Sequence, residues 1–124
     1  MDSPTAEESR GSRSDQILVL VLTTEADATH ADALAQALVD QGLAACVSQW
    51  PVRSTYRWKG QRECAEEVQL LIKTSRDGWP RLEHGLKELH SYETPEVIHW
   101  QAEASAAYSA WVADAVTCPP VPLS

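Results

Sequence analysis

The sequence predicts an α/β chain of the α+β sandwich kind. Its order is β-α-β-β-α-β, with a long central hairpin and an extra C-terminal helix. Three observations predict this. An unbroken apolar run, ILVLVLTT, opens the patterned region. Two stretches repeat apolar residues at helical spacing. Between those stretches, residues 43–74 read almost wholly as extended chain. Two helices at these positions cover one face of an antiparallel sheet, the ferredoxin-like arrangement.

Each element has its own reason. ILVLVLTT is rich in β-branched residues and suits a central strand buried on both faces. Asp27 or Thr29 can cap the helix that follows, where Ala31, Leu34, Ala35, Leu38 and Val39 mark the buried face. Gly42 ends that helix, since a left-handed cap costs least for glycine. LAACVSQW is a second strand, Pro51 a bend or edge position, and STYRW resumes the extended pattern up to a turn at Lys59-Gly60. EEVQLLIKTS is a third strand with Val68, Leu70 and Ile72 on one face. Asp77 can cap the next helix, Pro80 is tolerated in its first turn, and Trp79, Leu82, Leu86 and Leu89 form its buried stripe. HSYETPEV connects to the strand EVIHWQAE. The alanine-rich SAAYSAWVADAV is the last helix, expected to bury Tyr108, Trp111 and Val112.

The totals set limits. With 124 residues, 44% of them hydrophobic, the chain can bury a core as one domain. The folded part spans residues 16–116. Residues 1–15 are polar and expected to be disordered, and residues 117–124, TCPPVPLS, form a proline-rich tail. A net charge of −8 argues against nucleic-acid binding. The local basic run of Arg53, Arg57, Lys59 and Arg62 is followed by Glu63, Glu66 and Glu67, which reads as a salt-bridged hairpin. Cys46, Cys64 and Cys118 stand far apart with no C-x-x-C pair, which suits a reducing compartment. No stretch reads as a signal peptide, and the longest apolar run is too short to span a bilayer. The expectation is a soluble, cytoplasmic protein with no membrane partner. Trp50, Tyr56 and Trp58 on a long hairpin are large surfaces to leave in water, so the chain is expected to self-associate. There is no G-x-S-x-G, P-loop, G-x-G-x-x-G or H-E-x-x-H, so the reading is binding rather than catalysis, with no organic cofactor.

LAACV, then STYRWKG, EEVQLLIKT, HSYETPEVI and AYSAWV resemble, in order and at nearly the same spacing, the divalent-cation tolerance (CutA) family. The resemblance covers almost all of residues 17–116. It implies a ferredoxin-like subunit whose hairpin wraps neighbours into a homotrimer, similar to the PII-type signal proteins that bind small ligands between subunits. It also implies binding of divalent cations and a part in the response to metal ions. The alternative is a PII-like sensor or adaptor for a small anion or a protein partner. The chain departs from the family pattern in three ways. Pro51 is followed directly by Val52, HWQAEASAAY lacks the usual Pro and Gly, and Thr23 and Leu89 stand where some members carry Cys and His.

Two readings apply to each candidate site. His90, Glu93 and Glu96 can ligate Cu(II) or Zn(II) weakly, imidazole and carboxylate being suited to those ions. Alternatively the segment is a structural joint. His90 then caps the last helical carbonyls, Thr94-Pro95 sets the turn, and Glu96 starts the strand paired with a cation such as Lys73. The resemblance places Lys73 near Tyr92 and Glu96, beside an intersubunit cleft, where it either binds an anionic ligand or forms an interfacial ion pair. Tyr56, Trp58 and Trp111 form either an aromatic ligand shelf or interface core. Cys46 reads as a small buried hydrophobe and Cys64 as the more reactive thiol.

Overall fold

The computed structural model describes residues 16–117; the expectations for residues 1–15 and 118–124 lie outside the described residues. The elements are β1 (Ile17–Glu25), α1 (Ala28–Asp40), β2 (Cys46–Trp58), β3 (Gln61–Ser75), α2 (Trp79–Leu89), β4 (Ile98–Glu103) and α3 (Ala106–Thr117). The four strands form one antiparallel sheet in the order β2-β3-β1-β4, as the ferredoxin-like reading requires.

Alternation decides what each sheet face does. Val19 and Val21 of β1 and Leu70 and Ile72 of β3 point to one face. There they pack on Ala31, Leu34 and Leu38 of α1 and on Leu82 and Leu86 of α2, forming the main core. Gly85 lets Leu43 lie against α2, because a Cβ at that position would sit 2.5 Å from Leu43 Cδ1. The opposite face carries Leu20, Leu22, Leu71, Ile98, Trp100 and Trp50, cross-strand neighbours by register. Neither α1 nor α2 reaches it. Ile98 is 51% and Trp100 41% exposed, so this subunit alone leaves an apolar face uncovered. Its third helix, α3, seals the end of the sheet with Val112 and Val116 against Leu18 and Ala45.

The hairpin is longer than the sheet it belongs to. β1 pairs with β3 only as far as Glu25↔Val68, whereas β2 and β3 continue together from Val52↔Glu67 to Trp58↔Gln61. At about 3.4 Å per residue, this two-stranded overhang projects roughly 20 Å. Pro51 does not break it: β2 is an edge strand, where a missing amide donor is tolerated. Lys59 and Gly60 both take positive φ at the tip, as the predicted turn demands.

Several expectations are corrected. Asp27 does cap α1, its Oδ1 accepting the His30 amide at 2.8 Å, but α2 starts from Gly78 with no side-chain cap, so Asp77 has no such role. Val39 is 45% exposed because it falls outside the stripe set by Ala31, Leu34 and Leu38. β2 begins at Cys46, the preceding Leu43 and Ala44 amides being bonded to the Leu38 carbonyl at the end of α1. In α3 the buried side chains are Ser109, Val112 and Val116, while Tyr108 and Trp111 are turned outward and stack on each other at 5.6 Å. That helix has few charges to mark its wet side, so the sequence pattern misjudged its rotation. It also continues through Thr117, one residue into the predicted tail.

Candidate functional site

The connection from α2 to β4 builds the site. Pro95 disfavours helix at Thr94, so the chain leaves α2, bends through residues 91–94 and reaches β4 at Ile98. On the way it crosses the end of β1 from the helix-covered face to the open one. Three successive residues of β1 hold it there.

Thr23 holds His90. The Tyr92 amide donates to His90 Nδ1 at 3.0 Å, which puts the ring proton on Nε2. Nε2 then donates to the Thr23 hydroxyl at 3.0 Å. Glu25, only 1% exposed, accepts from the Ser91 amide at 3.2 Å and from the Ser91 hydroxyl, while His90 Nδ1 lies 3.6 Å from its Oε2. A buried carboxylate is expensive unless donors face it, and Ser91 supplies two. Thr24 completes the set on the open face: its hydroxyl donates to Glu96 Oε2 at 3.1 Å, and Gln69 donates to the same oxygen at 3.3 Å.

Tyr92 carries the connection across to β3. Its hydroxyl donates to Glu67 Oε2 at 2.6 Å. Burial first, then the hydrogen bond and charge of Glu67, push the phenol well above its usual range, so it remains a donor. Between this connection and the overhanging hairpin lies a cavity of about 880 Å³. Its walls include the rings of Tyr56, Trp58 and Tyr92 and the carboxylates of Glu67, Glu93 and Glu96. Its lining contains no lysine, arginine or histidine.

The predicted site residues therefore separate into two groups. Glu93, Glu96, Tyr92, Tyr56 and Trp58 meet at the cavity. His90 stands behind it as the C-cap of α2, its backbone amide donating to the Leu86 carbonyl at 3.0 Å while both ring nitrogens are engaged away from the helical carbonyls. Among the described residues, no group of three or more His, Cys, Asp or Glu side chains is placed to hold a metal ion, so His90, Glu93 and Glu96 do not form one ligand set. Within the subunit, Lys73 is not beside Tyr92 and Glu96. Its Nζ lies 3.3 Å from Ser48 Oγ and 3.7 Å from Cys46 Sγ, further along the open face. Glu96 takes neutral donors in place of the expected cation, and it precedes β4 rather than starting it. Trp111 lies on α3, away from the cavity within the subunit. Within the subunit, no basic side chain lines this cavity to meet a small anion. Cys46 is half-buried and Cys64 exposed, both as free thiols. Glu67 and Glu25 were missed. Glu67 reads in sequence as one more charge of a solvated hairpin, and only the fold shows that Tyr92 reaches it.

The subunit is thus of the ferredoxin-like class, with an open apolar sheet face, an overhanging hairpin and an acid-walled cleft. Comparison with known proteins makes the assignment specific. The family described as CutA1 divalent ion tolerance protein matches residues 19–115, and the chain belongs to that family. The divalent-cation tolerance protein CutA of Thermus thermophilus is 38% identical over 95 residues, 75% of this chain and 92% of that protein. The structure of CutA from Synechococcus elongatus PCC7942 superposes with a TM-score of 0.79 at 37% identity, covering 82% of this chain and 92% of that one. CutA from Nostoc sp. PCC 7120, described as a PII-like protein, superposes with a TM-score of 0.75 at 33% identity, covering 79% and 96%.

Proposed function

We propose that the protein acts in the response to divalent metal ions as a homotrimeric binding protein, not as an enzyme, and that its cation site is the cleft between the 90–97 connection and the hairpin. The observation that carries this reading is the cleft wall itself: three carboxylates and no basic side chain. Such a wall concentrates cations. Glu93 and Glu96 are the ligands offered to Cu(II) or Zn(II), with Glu67 behind them. His90 lends a nitrogen only if its bond to Thr23 or to the Tyr92 amide breaks. Binding within one subunit is therefore weak and poorly selective, since tight sites for these ions present three or four preformed ligands.

Assembly follows from the open sheet face. Trp50, Trp100 and Ile98 are each more than a third exposed, and a contiguous apolar face of this kind calls for a partner. A second copy supplies one, and the overhanging hairpin is the arm that reaches it. Among the described residues no helix is long and apolar enough to cross a membrane, and the free thiols of Cys46 and Cys64 suit the reducing cytoplasm where this reading places the protein.

The test is sedimentation equilibrium combined with zinc titration of chelator-treated protein. The expected result is a mass of three subunits and saturable, weak binding in proportion to subunits. A stable monomer contradicts the assembly, and the absence of any divalent-ion binding contradicts the site.

A further inference from the structure

We propose that the buried pair of Glu25 and His90 is a proton-operated switch for the 90–97 connection. One proton taken up between the two side chains displaces the Tyr92 amide from the imidazole and loosens the connection.

The atoms concerned are buried behind the cleft, not on the surfaces that the assembly reading gives to a second copy. The side chains of His90 and Glu25 are 0% and 1% exposed, and the proposed cation site uses neither as a preformed ligand. His90 Nδ1 has one lone pair and two neighbours. The Tyr92 amide donates to it at 3.0 Å, and Glu25 Oε2 lies 3.6 Å from it. In the neutral ring the lone pair takes the amide hydrogen, so the carboxylate oxygen faces a nitrogen with no hydrogen to offer. Glu25 takes its donors from Ser91, through the amide at 3.2 Å and the hydroxyl. A buried carboxylate and a buried base this close titrate as a pair. One further proton leaves either a neutral acid beside a neutral ring or a carboxylate beside an imidazolium.

The two arrangements exclude each other. A proton between Nδ1 and Oε2 occupies the lone pair, whichever atom holds it, and the Tyr92 N–H then has no acceptor on the ring. The other ring nitrogen is not the point of entry, because Nε2 already carries a hydrogen and donates it to Thr23 at 3.0 Å. Ser91 stays bonded to Glu25 in both states, so the change falls on Tyr92. That residue ties the connection to β3 through its hydroxyl, which donates to Glu67 at 2.6 Å. Other titratable groups face the pair from neighbouring elements. Tyr92 stacks on the imidazole with 5.2 Å between ring centroids, Glu67 of β3 stands behind it, and His30 at the start of α1, paired with Asp27, feels the Glu25 charge.

Amide hydrogen exchange and imidazole nitrogen NMR on the full, chelator-treated protein test this between about pH 8 and pH 5, the range in which an imidazole is the usual side chain to change charge. The readout is the protection factor, which removes the intrinsic pH dependence of exchange. The Tyr92 amide is expected to lose protection at least tenfold over the interval in which the His90 Nδ1 signal shifts, while the Ser91 amide keeps its protection. Glu25→Gln removes the carboxylate that draws the proton, and at least tenfold more acid is expected to be needed for the same loss. His30→Gln is expected to leave the loss where it is in the parent. If Glu25→Gln does not assemble, Ser91→Ala takes its place: with a donor removed, Glu25 draws the proton more strongly, and the loss is expected with at least threefold less acid. Tyr92 protection that stays constant, falls together with that of Ser91, follows His30, or is unmoved by the Glu25 and Ser91 variants overturns the proposal.

Discussion

Replacing His90 by alanine separates a structural joint from a metal ligand. The imidazole makes two hydrogen bonds of 3.0 Å, one to the Thr23 hydroxyl and one from the Tyr92 amide, in a position only 8% exposed. Each such bond contributes about 0.5–1.5 kcal/mol net, and a buried partner left unsatisfied costs about 1–3 kcal/mol. Thr23 is fully buried, so its hydroxyl loses its partner with no water to replace it. The expected loss for His90→Ala is therefore about 3 kcal/mol, in the absence of any metal. The assay is urea unfolding of chelator-treated protein at fixed subunit concentration, since an oligomer's midpoint depends on concentration. His90→Asn makes the attribution sharper. Its side-chain oxygen can still accept the Tyr92 amide but cannot reach Thr23, so about half the loss is expected to be recovered. Unfolding of His90→Ala at the parent's urea concentration, with zinc binding abolished, would falsify the joint reading and make His90 a ligand.

Further outcomes follow from other parts of the structure. Trp100→Ala removes a large side chain from the open sheet face and is expected to weaken self-association by about 2 kcal/mol or more, seen as dissociation on dilution in sedimentation velocity. Gly78→Ala places a Cβ 2.7 Å from Thr74 Oγ1 and 3.1 Å from Ser75 Oγ, so a loss of about 1–3 kcal/mol in thermal or urea unfolding is expected. The Asp27–His30 pair at the start of α1 predicts a titration signature. The hydrogen bond and charge of Asp27 raise the His30 pKa, and the amide and ring of His30 lower that of Asp27. The His30 contribution is present in acid and lost as pH rises through its raised value. That of Asp27 is present above its ordinary range and lost as pH falls through its lowered value. NMR titration is expected to place His30 above the usual histidine midpoint, with Asp27→Asn removing the elevation.

Much of this molecule is legible in its sequence, because the strongest signals are local. The ILVLVLTT run, the Asp27 cap, the Gly42 stop and the long strand pair each follow from neighbouring residues, and all appear in the structure. Where the reading erred, the missing information was long-range. Alternation correctly sends Lys73 away from the face of Leu70 and Ile72, but it gives only the face, not the row. The row depends on where the 90–97 connection crosses β1. It crosses at Thr23–Glu25, which brings Glu96 to Gln69, four residues from Lys73 or roughly 13 Å along the strand. Glu67 was missed for the same reason, since its partner Tyr92 comes from a different element. Trp111 failed on rotation: in an alanine-rich helix, neither charge nor bulk fixes which side is inward.

In the proposed cation site the cleft carboxylates hold the ion and His90 only positions the segment carrying two of them. Zinc calorimetry on the parent, on Glu93→Gln/Glu96→Gln and on His90→Asn, all confirmed as assembled, tests it most directly. At least tenfold weaker binding is expected for the double carboxylate variant, with near-parent affinity for His90→Asn. Unchanged affinity in the carboxylate variant, with binding lost in His90→Asn, would contradict it.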